Sequence, residues 1–130
     1  MKQALLFAAC TIFCTQIFSQ TIVGNQNVIS VNTGGNPATA QALLYLPDTY
    51  NTDTSHYPLI IFLGGTGEQG SDINLLLNYG TLPYRISQGF NPAAINPVDG
   101  KTYKFIVFSP QGQAGIAIPS CLPGLEERIQ

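Results

Sequence analysis

Two stretches of this 130-residue chain hold residues whose types and spacing could do chemistry. The first, Gly65-Thr66-Gly67-Glu68-Gln69-Gly70, fits G-x-G-x-x-G, a pattern that brings bare backbone N–H groups beside a pyrophosphate at a helix N-terminus. The second, Ser55-His56, sets a hydroxyl next to an imidazole. A serine nucleophile needs its base and a third, orienting group brought together by the fold, so adjacency alone leaves Ser55-His56 as a solvated loop. The residues downstream of the glycines test the first pattern. A dinucleotide site needs a long helix after the glycines and an acid about 20 residues on. Here Gly80 and Pro83 interrupt the helix candidate, and the first acid after Asp72 is Asp99. A phosphate loop needs lysine after its last glycine, whereas Ser71 comes after Gly70. No nucleotide cofactor is expected. The remaining chemical use of such a loop is to aim N–H groups at a developing oxyanion. Its purely structural use is a tight exit from a strand.

The elements that must position this loop read as strands and short helices. Val28 to Asn32 and Gln41 to Leu46 form two strand candidates separated by Asn32-Thr33-Gly34-Gly35-Asn36-Pro37, which predicts an antiparallel hairpin. Leu59 to Leu63 and Lys104 to Phe108 are continuous apolar runs of the kind buried on both faces of a parallel sheet. Between them, Ser71 is placed to cap a helix over Asp72 to Tyr79, and Thr81 a second with Pro83 in its first turn and Gly89 after its end. The predicted fold class is α/β, an antiparallel hairpin leading into a parallel β-α-β unit.

Composition narrows the function classes. Met1 and Lys2 precede an apolar run from Ala4 to Cys14, with Ser19 a small residue at the cut, which reads as a secretory leader over residues 1–19 and an exported, secreted or periplasmic product. The run is too short to span a bilayer. Beyond the leader, Arg85, Lys101, Lys104 and Arg128 are set against seven acids, so no basic patch exists to neutralise nucleic-acid phosphates. His56 and Cys121 do not make a metal set, and Cys121 has no second mature cysteine to pair with.

The stretch "HYPLIIFLGGTGEQGSDINLLLNYG", with "KFIVFSPQ" after it, resembles the N-terminal part of exported α/β-hydrolase esterases of the feruloyl-esterase and polyhydroxybutyrate-depolymerase type, and is similar to the phospholipase/carboxylesterase group. The matching residues are Tyr57, Pro58, Gly65, Gly67, Glu68, Gly70 and Ser109-Pro110-Gln111, with "ALLYLPDTY" similar to an earlier strand and its exit. The resemblance covers about Gln41 to Gln113 and implies an ester or ester-linked polymer as the substrate class. It also implies that Gly65, Thr66 and Gly67 shape an oxyanion hole, with Thr66 N–H as the donor. Gly64 stands where the family carries a histidine.

No serine after the leader sits in G-x-S-x-G, and His56 lies before the third-strand candidate, whereas the family's catalytic histidine comes after the serine and the acid. No catalytic residue is therefore assigned. Residues 20–113 read as a partial α/β-hydrolase domain and residues 114–130 as an atypical tail, so the expectation is a truncated, inactive relative of serine esterases whose uncovered apolar strands favour aggregation. The alternative is a small secreted binding module for a glycan or protein partner, using some of Tyr45, Tyr50, Tyr57, Tyr79, Tyr84 and Tyr103.

Overall fold

The computed structural model describes residues 20–32, 39–52 and 54–112. The expected leader, the turn at Gly34 and Gly35, and the tail with Cys121 lie outside the described residues.

Residues that alternate or cluster apolar side chains form the main sheet. β1 (Ile22–Val23) and β2 (Gln26–Asn32) are joined by Gly24-Asn25, whose φ angles of 54° and 60° are the left-handed pair that a tight two-residue hairpin requires. β2 pairs antiparallel with β3 (Thr39–Tyr45), setting Val28 opposite Leu43 and Ile29 opposite Ala42. β3 then pairs antiparallel with β7 (Ile106–Pro110), and β7 pairs in parallel with β4 (Leu59–Ile61). The sheet order is β1-β2-β3-β7-β4. All five residues of β7 are buried because strands flank it on both edges and its two faces are both covered.

One face of the sheet carries Ile29, Val31, Ala42, Leu44, Ile106 and Phe108, against which Leu46, Tyr50 and Tyr57 of the β3–β4 connection pack. The other carries Leu43, on which Ile73 and Leu76 close. Burying side chains such as Phe108 and Leu43 contributes about 1.5–3 kcal/mol each, and these two faces hold the core.

This architecture corrects the α/β-hydrolase expectation. Among the described residues the regular elements are mostly β-strands, in sheets of five and two strands, and the fold is not the start of an α/β-hydrolase. The segment expected to be a helix over Asp72 to Tyr79 forms only a 3-10 turn, Ile73–Leu77. Asp72, not Ser71, caps it by accepting from Asn74 N–H at 3.0 Å. Gly70 and Gly80, both at positive φ, stand on either side of this turn and depart from helical backbone there. The second helix, α1 (Leu82–Ser87), has six residues. Thr81 caps it by accepting from Tyr84 N–H at 3.1 Å, Pro83 lies in its first turn, and Gly89 comes just past its end at φ 91°.

The strand expected over Lys104 to Phe108 is also divided. Lys104 ends β6 (Thr102–Lys104), which pairs antiparallel with β5 (Ala93–Ile95) in a separate two-stranded sheet. Phe105 turns the chain from that hairpin into β7, its N–H donating to Pro92 O at 3.0 Å. The β4 run is an edge strand rather than a doubly buried one: Leu59 and Ile61 are each 39% exposed.

Candidate functional site

The glycine loop leaves β4 and folds back on itself. Gly65 N–H donates to Glu68 Oε2 at 2.6 Å, and Asn78 Nδ2 donates to Gly67 O at 3.0 Å and to Glu68 Oε1 at 3.2 Å. Gly70 N–H reaches Gly112 O at 3.0 Å, and the buried Gln111 side chain donates to Asp72 O. These bonds tie the loop to the end of β7, so the glycine motif and Ser109-Pro110-Gln111 meet. A side chain at Gly64 would set its Cβ 2.7 Å from Glu68 Cβ, which leaves no space for a histidine while Glu68 holds Gly65. Thr66 and Gly67 are exposed at the start of a 3-10 turn, Thr66–Glu68, where the first amides of a helical turn lack partners within it. The Gly65 amide already serves a carboxylate. A second anion drawn to this loop would meet that negative charge at close range.

A polar surface recess lies elsewhere, between the β3–β4 connection and the β5–β6 hairpin. It is an open cleft of about 460 Å³, within the roughly 300–1,000 Å³ typical of small-ligand sites. Thr49, Ser55, His56 and Tyr57 line one side. Lys101, Thr102, Tyr103 and Lys104 line the other. The sequence folds this way because the turn-rich segment after β3 must return to start β4, while the Asn96–Lys101 closure of the hairpin, with Asn96 N–H on Lys101 O at 2.8 Å, swings β6 beside it.

Internal bonds fix the walls. The Thr49 and Tyr57 hydroxyls share a hydrogen bond of 2.7 Å, and the Tyr57 ring lies 5.8 Å from that of Tyr50 at 46°. Lys104 Nζ donates to Asp48 Oδ1 at 2.6 Å, bridging the two sides. That bond raises the Lys104 pKa and lowers that of Asp48. Tyr103 OH donates to Asp99 Oδ2 at 2.7 Å, and Lys101 N–H donates to Asp99 Oδ1 at 3.0 Å. The Tyr103 bond holds the Asp99 carboxyl below its ordinary range and the Tyr103 phenol above its own. Tyr45, at the end of β3, donates to Asn91 Oδ1 at 3.0 Å, and burial raises its pKa.

On the far side of Tyr103 is a shallow apolar hollow of about 320 Å³, bordered by Pro58, Ala94, Ile95, Asn96 and Phe105. Tyr103 borders both spaces.

Sequence reasoning makes Ser55-His56 a solvated loop and singles out Tyr103 only as one of six scattered tyrosines. The structure keeps Ser55 and His56 exposed but sets them on the cleft wall, facing residues nearly fifty positions later in the chain. The only signal is density: "NTDTSHY" and "KTYK" are both rich in hydroxyl and aromatic side chains. No spacing rule joins them.

Among the described residues no group of three or more His, Cys, Asp or Glu is placed to hold a metal ion. Nor is any described helix long and apolar enough to cross a membrane. Comparison with protein-family models, curated proteins and solved structures found no match to this chain.

Proposed function

We propose that this protein is a small exported binding module whose ligand site is the cleft between the β3–β4 connection and the β5–β6 hairpin, and that the ligand is a glycan. The observation that carries this reading is the cleft itself: hydroxyls, amines and tyrosines come from two segments, each braced by a bond of its own and the two joined by the Lys104–Asp48 pair. Hydroxyl side chains both donate and accept, which suits a polyol whose own hydroxyls do the same. A tyrosine ring supplies the apolar surface that a sugar's C–H face needs. Export rests on the Met1-Lys2 start and the apolar run after it.

Titrating the isotopically labelled full chain with a mixture of soluble oligosaccharides, read by backbone NMR, tests the site. Shifts should concentrate at Thr49, His56, Lys101 and Tyr103. Shifts confined to residues 64–70 or to β4 would overturn the assignment.

Serine-esterase chemistry is the weaker reading. It is favoured by the junction of the glycine loop with Ser109-Pro110-Gln111, and opposed by the Glu68 carboxylate on the Gly65 amide. Labelling of any serine by an activated phosphonate would reverse that order.

A further inference from the structure

Resting on the cleft as the ligand site, we propose that the ligand is an acidic saccharide, one whose carboxylate or sulfate group meets Lys101 while the rest of the sugar occupies the cleft. The distribution of charge carries this. Arg85, Lys101 and Lys104 are the Lys and Arg side chains among the described residues; Arg85 lies over the Phe90 ring, and the other two both line the cleft. Of the acids among the described residues, Asp48, Glu68, Asp72 and Asp99, none lines it. An acid group entering the cleft therefore meets lysines in its walls and none of these carboxylates.

The two lysines are not equivalent. Lys104 Nζ is held by Asp48 Oδ1 at 2.6 Å, so much of its charge is offset. Lys101 is fixed through its main chain instead: its N–H donates to Asp99 Oδ1 at 3.0 Å, and its carbonyl accepts from Asn96 N–H at 2.8 Å. Asp99 Oδ2 is taken by Tyr103 OH, and among the described residues no carboxylate pairs with the Lys101 ammonium group. The backbone that carries Lys101 is set, and the charge at the end of its side chain is left for a ligand. His56 and Thr102 share the lining and make no side-chain hydrogen bond among the described residues, and each can donate one. The Thr49 and Tyr57 hydroxyls, by contrast, already share a bond. The lining groups still open to a ligand are therefore donors, which an acid group answers with acceptor oxygens alone.

The test uses the full chain with hexuronate oligomers, their carboxyl-reduced neutral counterparts and sulfated hexose oligomers of equal length, read by calorimetry and by NMR shifts at the cleft. An acidic oligomer should bind about fivefold more tightly than the neutral one, the gain that an exposed ion pair allows. That advantage should fade between about 50 and 500 mM salt, where contacts between opposite charges are screened. Whichever of the hexuronate and the sulfated oligomer binds more tightly tells carboxylate from sulfate. Lys101→Gln should remove the advantage. Asp48→Asn, which releases Lys104 from its carboxylate, should increase it, a gain that damage to the fold would not give; circular dichroism of both variants is checked against the unmodified chain. Equal affinity for acidic and neutral oligomers at low salt would overturn this inference while leaving the cleft as the ligand site. An advantage that survives Lys101→Gln would overturn the role of Lys101. Failure of every saccharide to shift Thr49, His56 or Tyr103 would overturn both this inference and the function it rests on.

Discussion

At the scale of single residues, Gly64 is the most informative position in the glycine loop. In the esterases that the motif resembles, a histidine occupies this place, and here its Cβ would collide with Glu68 at 2.7 Å. The loop has a different brace, in which Glu68 accepts from Gly65 N–H and from Asn78. Gly64→His should therefore displace Glu68 and destabilise the fold by about 1–3 kcal/mol, the usual cost of overpacking a close contact. Urea unfolding monitored by circular dichroism measures it, and an unchanged midpoint would show that the loop accommodates the larger side chain. The cleft residues also carry a pH dependence. The folded-state pKa values of Asp48 and Asp99 are lowered, so the stabilisation they supply is present above the ordinary carboxylate value near 4 and is lost as the pH falls through their folded values. Those of Lys104 and Tyr103 are raised, so their share is present below about 10 and is lost as the pH rises through their folded values. The cleft should hold its geometry between roughly pH 5 and 9 and loosen outside that window. The ring and amide resonances of Tyr103 report it, and a transition centred near neutrality would contradict the assignment.

At the scale of elements, short pieces depend on their ends. α1 has six residues and buries only Pro83 and Ile86, so its cap matters more than its length. Thr81 Oγ1 accepts from Tyr84 N–H and donates toward Leu76 O at 2.8 Å, joining the helix start to the preceding 3-10 turn. Thr81→Ala should cost about 0.5–2 kcal/mol, while Thr81→Ser, which keeps the oxygen, should recover most of it. Thermal unfolding of the two variants separates loss of the cap from loss of the methyl group. The Thr81 cap, Pro83 and Gly89 are legible in the sequence because capping is local chemistry. Gly24-Asn25 between Val23 and Gln26 is a local hairpin signal as well, and the strand expected to begin at Val28 passes over it. The division of Lys104 to Phe108 at Phe105 is not legible. An apolar run looks the same whether one sheet takes all of it or two sheets share it.

At the scale of the whole molecule, β4 is the exposed margin of the main sheet. Leu59 and Ile61 on it, and Leu63 just past its end, alternate and are all exposed, Leu63 at 52%. Ile106 N–H donates to Pro58 O and Phe62 N–H to Phe108 O, so the bonds toward β7 are made at Pro58 and Phe62, and alternation turns the main-chain groups of Leu59 and Ile61 outward. An apolar edge with open backbone groups promotes pairing between chains. Ile61→Lys should lower the aggregation rate at high concentration without changing ligand affinity, because Ile61 is not among the cleft residues. Light scattering and saccharide titration on the same sample check both halves, and unchanged aggregation would place the sticky surface elsewhere.

Features that depend on neighbours along the chain can be read from the residues alone: the strand-forming segments of β2 and β3, the Thr81 cap, the glycine just past α1 and the low positive charge. Local sterics and hydrogen bonding act over a few residues and leave their mark there. The fold class and the cleft were settled only in three dimensions. Whether an apolar run becomes a central or an edge strand depends on which partner reaches it, and that is set by packing across the whole chain. The meeting of Ser55 and His56 with Tyr103 and Lys104 is a long-range event of the same kind. It comes from the hairpin at Asn96–Lys101 and the bend at Phe105, which no motif spacing encodes.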